Sequence, residues 1–267
     1  MELAGKTVLL SGATGGLGRA IAVALAGRGA TLVLSSRKGE ALAELAGSLP
    51  GDGHRAVVSD LADQDAPERL AAEAGPVDVL VANAGLPGTG RLEDFTAEEL
   101  GRVLRVNLEA PIRLTHELLP AMQARGGGHL VYVSSLSGKA AAPRASLYSA
   151  TKFGLRGFAF GLREDLLKRG IGVSIVAPGF VREAGMFHDS GAKAPPGLGT
   201  TTPEAVAEGV LTAIGRNRHE VVVAPRLQRV LANFALRRPE LAARIAYRRG
   251  GGHKIAERVA SGQSDKR

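Results

Sequence analysis

Seven short apolar runs recur along the first 225 residues: KTVLLS, ATLVLSS, HRAVVS, VDVLVAN, GHLVYVSS, GVSIVAP and EVVVAP. Each is nearly continuous in apolar character and bounded by Gly, Pro, Asp or Ser, the pattern of strands buried on both faces. Between them lie Ala- and Leu-rich stretches whose apolar residues return every three to four positions, among them Ala20 to Arg28, Ala41 to Leu49 and Ala97 to Arg125. These stretches are long enough for right-handed crossover helices. The alternation predicts an α/β fold, a doubly wound parallel sheet of about seven strands flanked by helices.

Two segments break the rhythm. Glu183 to Pro203 is dense in Gly, Pro and small polar residues but carries Met186, Phe187 and Leu198. So long an irregular stretch after a strand whose carboxyl end faces the ligand crevice reads as a lid, with a surface excursion as the alternative. The second break follows the last strand: Leu227, Val230, Leu231, Phe234 and Ala235, then Leu241, Ile245 and Ala246, form apolar stripes with arginines on the other faces. The division expected is a catalytic domain over 1–225, a basic amphipathic helical extension over 226–250 and a flexible tail over 251–267.

The chain has 267 residues, 45% of them hydrophobic, enough for a large core. Its net charge of +8 lies in the extension: residues 216–267 hold thirteen basic and four acidic side chains, while the preceding 215 are nearly neutral. That surface suits packing over the pocket mouth, a second subunit, an anionic membrane or an acidic carrier protein. No recognition motif or aromatic platform accompanies the charge, so nucleic acid is not an expected partner. With no cysteine, and six histidines scattered without ligand spacing, no metal site is expected. The first residues show no charged leader or signal-length apolar run, and a cytoplasmic location is the expectation.

Two constellations carry chemistry. Ser11-Gly12-Ala13-Thr14-Gly15-Gly16-Leu17-Gly18 follows the first strand and opens a helix. Gly12 permits a tight turn, Gly16 a close approach of backbone to a pyrophosphate, and Gly18 close packing of helix on strand, as in a Rossmann-like dinucleotide site. Tyr148 and Lys152 stand one helical turn apart on one face, where a cation can stabilise a phenolate and bring the phenol's proton exchange toward neutral pH. The second strand ends at Ser36 and Arg37 with no acid before Glu40, which favours NADP(H) over NAD(H).

With these motifs in place the sequence resembles the classical short-chain dehydrogenase/reductase family across residues 4 to 225. The glycine segment matches that family with Ser11 where Thr is usual, and Ala82-Asn83-Ala84-Gly85 resembles its Asn-Asn-Ala-Gly strand end. Tyr148 and Lys152 match its Tyr-x-x-x-Lys pair, Ser135 falls thirteen residues before the tyrosine, and Asn107 falls where the family keeps an asparagine. The resemblance implies four catalytic residues. Tyr148 would act as acid and base, Ser135 rather than Ser134 would bond the substrate oxygen, Lys152 would bind the nicotinamide ribose, and Asn107 would hold a relay water.

It also implies cofactor contacts from Ser11, Gly12, Thr14, Gly16, Leu17 and Gly18 in the turn, and from Ser36 and Arg37 after the second strand. Asp60 and Leu61 follow the third strand, Asn83, Ala84 and Gly85 the fourth, and Pro178, Gly179 and Val181 the sixth. Glu183 stands where many members have a threonine, so that contact is open, with an outward hinge and a carboxylate near the pocket as alternatives. The expected activity is interconversion of a ketone or aldehyde and an alcohol on an apolar small molecule, by a homodimer or homotetramer. A 3-oxoacyl thioester reductase acting on carrier protein is the first alternative, and a non-catalytic NADP(H) sensor or scaffold the second.

Overall fold

The structure, a computed structural model, describes residues 1–249 and 251–263. Seven parallel strands form one sheet: β1 (Thr7–Ser11), β2 (Thr31–Ser36), β3 (Arg55–Val58), β4 (Val79–Ala82), β5 (Gly128–Val133), β6 (Ile171–Pro178) and β7 (Glu220–Val223). Their order is β3-β2-β1-β4-β5-β6-β7. The chain winds outward from β1 in one direction and from β4 in the other, so connections leave that central pair on opposite faces. A crevice opens there, at the carboxyl ends of the strands.

Both faces of the sheet are covered, which is why the strands read as continuous apolar runs. Leu9, Leu80, Leu130 and Val173 face the side holding α3 (Ala66–Ala74), α4 (Ala97–Leu104), α5 (Ala110–Ala124) and α6 (Ser146–Leu166). Val8, Leu10, Leu32, Leu34 and Val131 face the side holding α1 (Gly16–Ala26), α2 (Gly39–Ser48) and α8 (Pro203–Gly215).

The stretch from Ala97 to Arg125, expected as a single helix, is interrupted. It starts at a capping box in which Thr96 accepts from the Glu99 amide and Glu99 accepts from the Thr96 amide. A wide π turn over Arg105–Glu109 then separates α4 from α5. Such turns insert an extra residue and re-aim the side chains beside them. Here Asn107, at the centre of the turn, is fully buried.

Beyond β7 the chain forms α9 (Arg226–Arg237), α10 (Pro239–Arg249) and α11 (Gly251–Ser261). The apolar stripe of α9 faces outward. Gln228 and Ala232 face inward, each 5% exposed, whereas Leu227, Val230 and Leu231 of the apolar stripe are 46%, 55% and 46% exposed. The buried Gln228 amide bonds the Phe180 amide and the carbonyls of Leu198 and Gly199, so its polar groups are satisfied on the inward face. Leu241 and Ile245 also point outward, and the Ala246 side chain lies outside the described residues. The segment from 251, expected as a flexible tail, is helical through Ser261 and ends in a buried Gln263; residues 264–267 lie outside the described ones.

One ionic cluster locks the sheet edge to the helices that carry the site. Glu220, opening β7, accepts from Lys139 at 2.7 Å and from Arg156 of α6 at 2.8 Å. Burial pushes the Glu220 carboxyl up, but the bonds from Arg156 and Lys139 outweigh it and hold it below its ordinary value. Replacing Glu220 by Gln is expected to cost about 2 kcal/mol, read from urea unfolding at neutral pH. Since the folded-state pKa is depressed, the wild-type advantage is present at neutral pH and shrinks as pH falls through the carboxylate range. An advantage that did not change with pH would contradict this.

Candidate functional site

The glycine turn is built at the end of β1. Gly12 adopts φ +66°, and a Cβ there would lie 2.8 Å from the Ala84 Cα, so the β1 and β4 loops pass too closely for any side chain. The Ser11 hydroxyl accepts from the amides of Asn83 and Ala84, each at 3.1 Å. The Asn83 side chain donates back to the carbonyls of Ser11 and Gly12 at 3.2 and 3.1 Å. At Gly18 a Cβ would strike Gly12 and Ala13, so α1 packs directly on the strand end. No side chain caps α1 and its first turn has no acid, leaving its amino terminus open to an anion.

Ser36 and Arg37 flank that turn at the end of β2. Ser36 accepts from the Thr14 hydroxyl at 3.0 Å, and Arg37 is exposed and 3.8 Å from Asp60, which follows β3 beside the buried Leu61. On the other flank, Gly179 follows Pro178 and donates to the Val223 carbonyl at 3.0 Å, and Val181 is buried and bridges Thr201.

The second constellation faces the same crevice. Ser135 ends the β5 segment, and its hydroxyl accepts from the Ser137 amide at 3.1 Å while bonding the Tyr148 phenol. Its neighbour Ser134 turns away toward the Lys152 carbonyl at 3.4 Å. Strand alternation thus separates the two serines and leaves Ser135 with the phenol. The following turn passes so near α6 that a Cβ at Gly138 would sit 2.7 Å from the Lys152 carbonyl oxygen. Lys152 Nζ donates to the Val133 carbonyl at 3.1 Å and lies 5.6 Å from the centre of the Tyr148 ring.

Asn107 is brought to this cluster but is already bonded. Its Oδ1 accepts from the Leu86 amide at 2.7 Å, and its Nδ2 donates to the Leu86 carbonyl at 2.9 Å. A Cβ at Gly85 would lie 3.5 Å from Asn107 Oδ1 and 3.9 Å from Lys152 Nζ, so the β4 end, the π turn and α6 meet at one point.

The electrostatics differ from the expectation that Lys152 lowers the phenol. Burial pushes Tyr148 up to about 12, with the Ser135 hydrogen bond pulling the other way. Burial also pushes Lys152 down to about 8, so each group is driven toward its neutral form.

A lid covers the crevice. Arg182 and Glu183 pair with each other at 2.6 Å on the surface, and Glu183 adopts φ +70°, so its carboxylate turns outward. Beyond it, Ala184 lies on Gly16, Gly185 lies against Leu17, and the Met186 methyl reaches 3.2 Å from where a Gly85 Cβ would be. Met186 opens the short helix α7 (Met186–Asp189).

A family model described as short chain dehydrogenase matches residues 6–195. The chain belongs to the classical short-chain dehydrogenase/reductase family. A ketoacyl reductase named HetN from Nostoc sp. is 38% identical to it over 83% of this chain and 79% of its own length. Among solved structures, a short-chain dehydrogenase from Streptomyces avermitilis superposes with a TM-score of 0.77 at 30% identity, covering 94% of this chain and 99% of its own. Another from Sphingobium yanoikuyae, in complex with NADPH, gives a TM-score of 0.77 at 26% identity over 89% of this chain and 95% of its own.

As a short-chain dehydrogenase/reductase the protein is an oxidoreductase of CH-OH and C=O groups with a Rossmann-like nucleotide-binding fold, in a family that binds NAD(P)(H), uses small-molecule substrates and commonly oligomerises. No helix among the described residues is long and apolar enough to cross a membrane. The residues present fit a dinucleotide: the Gly12 and Gly18 turn excludes side chains, and the uncapped α1 terminus offers its amides.

Three residues of this short-chain dehydrogenase/reductase that contact the lid or the loop beneath it carry no signal in the sequence. Gln228, Gln263 and Thr89 contact its backbone or one another, and nothing in their spacing marks them.

The Lys152 shift has a consequence for stability. Between about 8 and 10.5 the unfolded chain holds a proton that the folded chain has lost, so stability conferred at this site rises with pH across that window. In paired unfolding experiments, a Lys152→Met variant is expected to lack that rise. A stability difference from wild type that is flat across the window would contradict a desolvated ammonium.

Proposed function

We propose that this protein is an NADP(H)-dependent reductase of ketones or aldehydes to alcohols, working on an apolar small molecule, with Asn107, Ser135, Tyr148 and Lys152 as its working set. The observation that carries the reading is the junction of Ser135 and Tyr148 beside a buried Lys152, at the crevice the glycine turn opens. The bound cofactor supplies or takes the two electrons that interconvert carbonyl and alcohol. The phenol, held at about 12, keeps its proton at neutral pH, so the site is charged for donating a proton to a carbonyl oxygen as that oxygen gains negative charge.

The Ser135 hydroxyl bonds the same oxygen and sets its distance from the phenol. Lys152, within 4 Å of the Gly85 Cβ position, would hold the cofactor ribose and keep a positive charge near the phenol as its proton leaves. Asn107 ties the β4 loop to the π turn through Leu86, and in this reading also orders a water at the far side of Lys152. The turn residues Gly12 to Gly18 would take the pyrophosphate, with Asn83 to Gly85, Pro178, Gly179 and Val181 beside the nicotinamide half. Asp60 and Leu61 would face the adenine.

The preference for NADP(H) is inferred from Arg37, which is exposed at the end of β2 next to Ser36, with no acid between it and Glu40 in the chain and Asp60 of the neighbouring strand end 3.8 Å away. A guanidinium–phosphate pair contributes roughly 1.5–3 kcal/mol, or about 10- to 150-fold in preference. The outward apolar stripe of α9 and α10, flanked by arginines, suits a second copy of this chain in a homodimer or homotetramer, and equally an anionic membrane or acidic carrier. A second reading, 3-oxoacyl thioester reduction, is favoured by one finding: the 38% identical relative bears the name ketoacyl reductase.

Tyr148→Phe is expected to lose at least about 10²-fold in turnover while still binding NADPH, as followed by cofactor fluorescence. Turnover within a few fold of wild type would refute the acid–base role. Arg37→Ala is expected to reduce the ratio of kcat/KM for NADPH over NADH by about 10-fold or more. An unchanged ratio would remove Arg37 from the account.

A further inference from the structure

The C-terminal extension reaches the lid at three places. Gln228 of α9 accepts at Oε1 from the Phe180 amide at 3.2 Å and donates from Nε2 to the carbonyls of Gly199 at 2.8 Å and Leu198 at 3.2 Å. One side chain thus holds both feet of the lid, the departing strand end and the returning segment. Gln263, just past α11, is 2% exposed. It accepts at Oε1 from the Thr89 hydroxyl at 2.6 Å and donates from Nε2 to the Met186 carbonyl at 2.6 Å. Gly262 packs against the Ser190 backbone so closely that a Cβ there would overlap it, and Glu257 pairs with Arg144 at 2.7 Å.

These contacts bridge two sides of the pocket. Thr89 follows Gly88, whose Cβ position lies 3.0 Å from the Tyr148 amide, and Met186 covers Gly85 beside Asn107 and Lys152. We propose that Gln263 is a positioning residue, a latch by which the C-terminal extension ties the lid to the loop beneath it and so sets the height of the pocket over Tyr148 and Ser135. Gln228 supplies the fixed base on which the latched lid turns. Neither side chain reaches the phenol or Ser135, so both act through Met186, Phe180 and the lid backbone. In this structure the latched lid rests on Gly16 and Gly85, so entry of a dinucleotide requires Gln263 to release Met186, and closure over the bound molecule restores the bond.

The test uses the full chain. In Gln263→Ala, trypsin cleavage after the exposed Lys193 of the lid is expected to accelerate about two- to ten-fold, the effect of losing one buried hydrogen bond, with the thermal midpoint little changed. This readout needs no activity, so its failure is separate from failure of the proposed reaction. For carbonyl reduction, which rests on that proposed reaction, KM is expected to rise by a similar factor with kcat within about two-fold.

Gln263→Glu separates a latch from a mere tail anchor, since it keeps the acceptor for Thr89 but sets a carboxylate against the Met186 carbonyl. Lid cleavage in that variant is expected to match Gln263→Ala. Wild-type cleavage in both variants overturns the latch, and wild-type cleavage in Gln263→Glu alone reduces Gln263 to holding the tail. Should Gln263→Ala fail to fold, Thr89→Val removes the other half of the bridge at constant shape and is read in the same way.

Discussion

The hydroxyl of Ser11 accepts from two consecutive amides after β4, and Gly12 lets the two loops touch. These bonds fix the carboxyl ends of the central strand pair where the sheet reverses its winding. Everything chemically informative is hung from that point. Gly85 is carried against Asn107 and Lys152, Gly18 seats α1 on the strand, and the lid descends onto Gly16. Together with the β1–β4 and β4–β5 pairing, that stitch keeps the glycine turn and the Ser135–Tyr148 pair on one edge of the sheet.

Burial sets the charge state of the site. Both the phenol and the ammonium are pushed toward neutrality, and the Val133 carbonyl and the Ser135 hydroxyl are what each finds in return. A phenol that keeps its proton at neutral pH can donate it to an oxygen that gains negative charge. The cluster of Glu220 with Lys139 and Arg156 holds the Ser135 turn and α6 in mutual register from behind, and pins both to the sheet edge.

Much of this was legible in the sequence because it follows from periodicity and from backbone demands that only glycine meets. The seven strands, the crossover helices and the close approaches at Gly12 and Gly18 followed from apolar runs and backbone demands, while Ser135 was pointed to only by the family resemblance. What could not be read depended on partners distant in the chain. The π turn at Asn107 leaves no periodic trace, since Leu86 sits twenty-one positions away. That α9 turns Gln228 inward could not be read either, because the three backbone groups this amide serves lie far away in the chain. The upward shift of Tyr148 reflects burial by the whole crevice, which a four-residue spacing does not report.

The most direct measurement is label transfer: NADPH carrying deuterium at the reactive ring carbon is incubated with the protein and a panel of apolar ketones and 3-oxoacyl thioesters, and the products are read by mass spectrometry. The account predicts an alcohol bearing one deuterium at the former carbonyl carbon, formed by the wild type and lost with the Tyr148 phenol. Absence of labelled alcohol across the panel, with NADPH bound and the fold intact, would contradict it.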